Sequence, residues 1–262
     1  DVTLLQHDID KICVWCDTWL LAPNPAKCVC MHMGNKNHGH TYKITYRGKE
    51  TNLMNTDCEK DLGVHVDNQL SFNRHITEVT RKCQKILWTI RRNIATRKPG
   101  PIWKLYTALV RPHLEYCNGA IIIRNKKDTT ALEKVQRRAT NMITVLRKRP
   151  YEERLKQLDL QSVKYRRERG DMIQAFKYLK SADHEAADEL LPLAKGRIQE
   201  TRGHTLKLAG KKARTDLRRY SFCQRVVSPW NALSGAVLEA KTVDTFKSRL
   251  DKAWVDRKYV TY

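Results

Sequence analysis

From Ser71 onward, apolar side chains return every three or four positions and hold that interval for about a hundred residues. Only an α-helix turns such a period into one continuous face. Ile76, Val79, Cys83, Ile86 and Ile90 make one stripe; Ile102, Leu105 and Leu109 a second; Leu132, Val135, Ala139, Met142 and Leu146 a third. Three stripes of this kind bury each other in a bundle. Lys98-Pro99-Gly100-Pro101 and Arg124–Asp128 supply the breaks between the helices. Pro150 can open a further helix, and Ser162 can cap another that carries Lys164, Arg166, Arg167 and Arg169 ahead of Gly170.

The residues before Ser71 follow other rules. Leu5, Ile9, Ile12, Cys16 and Trp19 are spaced by four, three, four and three, which predicts one helix ending before Pro23. Short alternating or apolar runs follow at Cys28–Met33, Tyr42–Tyr46 and Leu62–Val66, separated by Gly34-Asn35, Gly39 and Arg47-Gly48. Such runs between turn residues predict strands. The expected fold class is therefore α+β: a small helix-plus-antiparallel-strand piece, then a mainly α-helical bundle. Ser181–Glu200 is richer in acid and contains Pro192 and Gly196, which predicts a linker. Beyond it a small mixed region is expected, with a strand at Thr205–Leu208 and helices around Val226, Val227, Trp230 and Leu233 and around Phe246 and Leu250.

Charge divides at the same place as period. Residues 1–71 hold seven basic and nine acidic side chains, whereas Phe72–Tyr262 hold 43 and 19, so the whole excess of the +22 chain lies in the second part. A charge this one-sided costs self-repulsion unless a polyanion neutralises it, and nucleic acid is the expected partner. Arg81, Lys82, Lys85, Arg91 and Arg92 recur along the first long helix, while Lys134, Arg137 and Arg138 stand opposite the third stripe. Charged helix faces can also be simply solvated. Trp88, Trp103, Tyr106 and Tyr116 can stack on bases, although aromatics at helical spacing more often fill a core. No apolar run is long enough to span a bilayer, so no membrane is expected.

The cysteines invite a zinc reading that their positions weaken. Cys13-X-X-Cys16 followed by Cys28-X-Cys30 and His32 has only part of a tetrahedral spacing, and Cys16 belongs to the apolar stripe. His32, His38 and His40 lie in a loop rich in Gly and Asn, where a solvated turn competes with a metal site. Eight scattered cysteines argue against a disulfide framework and for a reducing compartment, hence an intracellular location in nucleus or cytoplasm. Asp1–Leu5 lack the basic region of a secretory leader, and the chain is expected to be a piece of something longer.

Several runs resemble one family. Trp15-Cys16-Asp17-Thr18-Trp19, Asn24-Pro25-Ala26-Lys27-Cys28 and Lys60-Asp61-Leu62-Gly63-Val64 are similar to the end of the palm in reverse transcriptases of non-LTR (LINE-type, jockey-like) retrotransposons. Leu109–Tyr116 (LVRPHLEY) and Leu132–Thr140 (LEKVQRRAT) resemble the thumb side of these enzymes. Thr201-Arg202-Gly203-His204, Arg225-Val226-Val227 with Trp230-Asn231, and Thr245-Phe246-Lys247 with Leu250-Asp251 resemble their C-terminal tail. The resemblance implies a palm end at 1–71, a basic helical thumb at 72–180, a linker at 181–200 and a C-terminal extension at 201–262.

It also implies roles for particular residues. Lys27 falls where these polymerases carry a lysine near the incoming triphosphate, suited to protonate the leaving pyrophosphate or clamp its charge; an ordinary exposed lysine would look the same. Leu62, Gly63 and Val64 fall on the hairpin that braces the primer end. Lys164, Arg166 and Arg167 join the expected nucleic-acid-binding set, with an RNA/DNA hybrid or RNA as its ligand. The aromatic-X-Asp-Asp hairpin that holds catalytic metal is absent from the sequence, and Asp8 and Asp10, two apart on a helix, do not share a face. The expectation is therefore no catalytic residue, no metal ligand and no cofactor in this chain, with Mg²⁺ needed only by a full-length polymerase. A rival reading is a repurposed, non-enzymatic basic helical module for RNA or a protein partner.

Overall fold

The computed structural model describes residues 2–34, 37, 39–180, 188–194 and 204–261. The chain is α+β and divides into two compact units, Asp1–Ser71 and Phe72–Tyr262. Most of the expected linker 181–200, together with Thr201-Arg202-Gly203 and His38, lies outside the described residues.

In the first unit, helix α1 (Val2–Thr18) precedes six short strands: β1 (Val29–Cys30), β2 (Lys43–Tyr46), β3 (Lys49–Asn52), β4 (Met54–Asn55), β5 (Cys58–Asp61) and β6 (Val64–Asp67). They pair two by two. β2–β3 and β5–β6 are antiparallel hairpins, but β1–β4 is parallel, which corrects the all-antiparallel expectation. Both hairpins turn through two residues, Arg47-Gly48 and Leu62-Gly63, with positive φ at each (49° and 73°; 44° and 85°). This is the type I′ pattern, whose twist matches that of the strands it joins.

The face that α1 buries is not the one its apolar spacing predicts. Cys13 is buried, and Val2, Gln6, Ile9 and Cys16 are half-buried, whereas Leu5, Ile12 and Trp19 are exposed. A polar contact explains the rotation. The Gln6 side-chain amide accepts from the Lys43 backbone N–H (3.1 Å) and donates to the Lys43 carbonyl (2.9 Å), satisfying the open edge of β2.

The second unit begins with α2 (Asn73–Asn93), α3 (Pro99–Leu105) and α4 (Arg111–Glu115), and a π-helical turn at Tyr106–Val110 joins the last two. Ile76, Cys83 and Ile90 are buried as the first stripe requires. The second stripe is displaced. Ile102, Tyr106, Val110 and Leu114 are buried, while Leu109 is exposed and Leu105 half-exposed. Pro112 cannot donate to the carbonyl four residues back, and the wider turn takes up the mismatch, with the Arg111 N–H bonding to the Tyr106 carbonyl.

Helices α5 (Lys126–Asn141), α6 (Tyr151–Gln157) and α7 (Val163–Leu179) follow. Ser162 caps α7, its hydroxyl accepting from the Tyr165 N–H at 3.1 Å. Gly170 does not end this helix, contrary to expectation. The residues on either side bury Tyr165, Met172, Ala175 and Phe176, and that burial outweighs the ~1 kcal/mol cost of an internal glycine.

Those same α7 residues share one core with the chain's last part. Short helices α8 (Asp216–Arg219), α9 (Phe222–Arg225), α10 (Val227–Asn231) and α11 (Gly235–Leu238) lead to α12 (Val243–Ala253). Trp230, Phe246, Leu250 and Trp254 pack with Phe176 and Tyr165, and the Phe176 and Phe246 rings stack with centroids 4.2 Å apart. The strand expected at Thr205–Leu208 is reduced to a single antiparallel bridge between Leu193 and Leu208.

Polar clasps fasten α7 on both sides. Arg169 donates twice to Asp251 of α12 (2.6 and 2.9 Å), and the Tyr165 hydroxyl donates to the same carboxylate at 2.8 Å. Burial pushes the Asp251 carboxyl up, but the hydrogen bonds from Arg169 and Tyr165 outweigh it and hold its pKa below the usual range. A lowered carboxyl pKa stabilises the fold above the unfolded value of ~3.9, and that contribution disappears as pH falls through the folded value. Thermal unfolding of wild type and Asp251→Asn should therefore differ at neutral pH and converge below about pH 4. A gap that stays constant down to pH 2 would disprove this account of the clasp.

Candidate nucleic-acid interface

Helix α5 is aimed by a buried carboxylate that the sequence does not mark out. Glu133 is 3% exposed and accepts from the Val163 and Lys164 backbone N–H groups (3.3 Å each) and from the Tyr151 hydroxyl. It thus serves the open N-terminus of α7 from across the bundle. Burial pushes its carboxyl above the ordinary range, against the lowering effect of those donors. Gln136, one turn on, accepts from the Tyr106 hydroxyl (2.7 Å) and donates to the Tyr151 hydroxyl (3.1 Å) and the Gln161 carbonyl (3.0 Å).

With Glu133 and Gln136 held inside, Lys134, Arg137 and Arg138 are turned outward and exposed. Arg137 lies over the Tyr151 ring, 4.7 Å from its centroid. On α2, Arg81, Lys82, Lys85, Arg91 and Arg92 are likewise exposed. Arg81 forms an exposed ion pair with Glu78 at 2.7 Å, which contributes little stability and yields readily to a phosphate.

The C-terminal halves of α2 and α5 meet in a cleft of about 560 Å³, where Arg91 and Arg138 are joined by Arg97 and Arg147. Among the described residues, no carboxylate lines it. Arg97 donates to the Arg91 carbonyl (2.6 Å) and to the Ile94 carbonyl, closing the end of α2. The Thr144 N–H donates to the Arg97 carbonyl at 3.4 Å, which ties the segment after α5 to the segment after α2. Two helix C-termini bring about −0.5 charge each, so four guanidiniums exceed what the dipoles require and leave about +3.

The sequence missed Arg97 and Arg147 because both lie just beyond the helices whose periodicity draws attention. The aromatics divide: Tyr106 and most of Trp103 belong to the interior, whereas Trp88 and Tyr116 are 60% and 52% exposed.

The α7 residues of the expected set behave differently. Arg166 donates to both oxygens of Glu115 and to the Gln161 side chain (2.9 Å), and Arg167 donates to the Leu114 carbonyl (3.2 Å). The Arg166 guanidinium is committed to Glu115 and fastens α7 to α4, while Arg167 reaches α4 through one N–H and also lines a cavity. Lys164 is half-buried in the first turn of α7, beside Arg167, Glu168 and Arg257 in a separate cavity.

In the first unit, Lys27 is exposed at the end of a 3₁₀ turn that Asn24 caps, its side chain accepting from the Ala26 N–H at 3.1 Å. Leu62 and Gly63 form the tip of the β5–β6 hairpin with Leu62 84% exposed, while Val64, the next residue, is buried. Leu62 thus holds the left-handed backbone region that favours glycine, with its side chain turned to water. Cys30 Sγ is 3.6 Å from His32 Nε2, but Cys13 is buried on the inner face of α1. Among the described residues no three His, Cys, Asp or Glu side chains stand close enough to hold a metal ion, and all eight cysteines are free thiols. Among them, too, no helix is long and apolar enough to cross a membrane.

No family model, no curated protein and no solved structure matches this chain.

Proposed function

We propose that the chain is the distal part of a non-LTR retroelement reverse transcriptase, comprising the end of the palm, the thumb and a C-terminal extension. Its own competence is to hold template-primer nucleic acid. One observation carries this reading: Arg91 of α2 and Arg138 of α5 meet Arg97 and Arg147 in one cleft that, among the described residues, no carboxylate lines, and the other cations of both helices are exposed. Phosphate contacts of this kind are insensitive to sequence, so little discrimination among bases is expected. The exposed tip at Leu62 and Gly63 supports a primer-bracing hairpin, and exposed Lys27 is compatible with a clamp on phosphate. The acids that would bind Mg²⁺ for polymerisation are expected in a part of the enzyme before these residues.

Anisotropy titrations with a labelled, primed RNA/DNA hybrid and with single-stranded RNA test the reading. Tighter binding of the hybrid is the expected result, and indifference between the two would favour the repurposed RNA-binding or protein-interaction module instead. In a primer-extension assay with Mg²⁺ and a poly(A) template, no incorporation is expected. Incorporation above that of an empty preparation would overturn the view that the chain lacks catalytic carboxylates.

A further inference from the structure

An exposed indole stands among the arginines of the α2–α5 cleft, and phosphate contacts alone give no reason for it. Trp88 is 60% exposed, lines the cleft, and carries the Arg92 guanidinium 5.2 Å from its ring centroid. A sugar-phosphate backbone offers an indole little. A base offers a flat face, but only once it has left its stack.

The rest of the lining suits such a base. Gln84, Asn141 and Thr144 present donors and acceptors, and Leu87 and Met142 present apolar surface. The volume falls within the ~300–1,000 Å³ of sites for small ligands. That is room for a nucleotide, and paired strands keep their bases turned inward, away from any such pocket.

We infer that the cleft seats a single unpaired nucleotide, its base against Trp88 and its phosphate among Arg91, Arg138 and Arg147. Arg97 is turned to the Arg91 and Ile94 carbonyls, so the phosphate is assigned to the other three arginines. Side-chain amides present both a donor and an acceptor, so the pocket accepts any of the four bases. The inference rests on the polymer-binding reading and narrows it: the preferred ligand has a paired part for the cationic rows and an unpaired part for the cleft.

Two RNA/DNA hybrids of equal paired length, one blunt and one with a short unpaired template overhang, separate the two ideas. Wild type should bind the overhang hybrid more tightly, by roughly 5- to 150-fold, the range for stacking one base on an aromatic ring. Trp88→Ala should lower the overhang hybrid to the blunt level and leave blunt affinity unchanged. Trp88→Phe, which keeps a flat ring, should retain much of the preference and shows that loss in the alanine variant is not misfolding. Equal binding of both hybrids by wild type, or a preference that survives Trp88→Ala, overturns the nucleotide site and leaves polymer binding standing. Binding of neither hybrid by wild type overturns both.

Discussion

Between 50 and 200 mM salt, affinity for an RNA/DNA hybrid is expected to fall by roughly 10³- to 10⁵-fold, the loss that accompanies six to ten phosphate contacts. The count comes from side chains. Arg81, Lys82, Lys85, Arg91 and Arg92 on α2 and Lys134, Arg137 and Arg138 on α5 are all exposed, and Arg147 lines the cleft with Arg91 and Arg138. Each phosphate neutralised releases condensed counterions, and each contact adds about 0.9 to the slope of log affinity against log salt. Arg137→Gln together with Arg138→Gln should therefore weaken binding to every sequence alike and flatten that slope by nearly two. Filter binding across a salt series measures it directly. A slope unchanged by the double substitution would remove these two arginines from the interface.

The bundle was legible because its evidence is local. Ile76, Cys83 and Ile90, or Leu132, Val135 and Ala139, announce their helices by spacing alone, and burial follows. Apart from the turn that Pro112 imposes, where the reading failed the deciding partner was distant in sequence. Gln6 turns α1 by bonding to Lys43, 37 positions away. Arg166 and Arg138 look alike as basic residues on amphipathic helices, yet Glu115, 51 positions from Arg166, claims that one, whereas Arg138 is exposed at the cleft. The cleft was half legible for the same reason. Arg91 and Arg138 sit on periodic helices, whereas Arg97 and Arg147 follow helix ends, and only the packing of α2 on α5 brings the four together.

Arg225 is the opposite kind of arginine, and replacing it should damage the fold and not the grip. Its guanidinium donates to both oxygens of Asp171 (2.8 and 2.9 Å) and to the backbone carbonyls of Asn118, Gly119, Tyr220 and Ile121. Asn118 completes the knot by donating to Asp171 and to the Arg167 carbonyl. The Asp171 side chain is only 10% exposed, so Arg225→Met would strand a nearly buried carboxylate and deprive several carbonyls of their donor. Breaking a pair in this way costs about 3–5 kcal/mol, which in a unit of this size lowers Tm by roughly 6–20 °C. Adding Asp171→Asn to Arg225→Met should recover part of the loss, because the stranded charge is gone and the two sites share one interaction. Salt also tells the two classes apart. Screening weakens contacts made across open water and barely reaches a pair this enclosed, so the Tm deficit should persist at 1 M salt, where binding to nucleic acid has vanished. An Arg225→Met protein that melts within ~2 °C of wild type would mean that α7, α9 and the segment after α4 are held together by apolar packing alone.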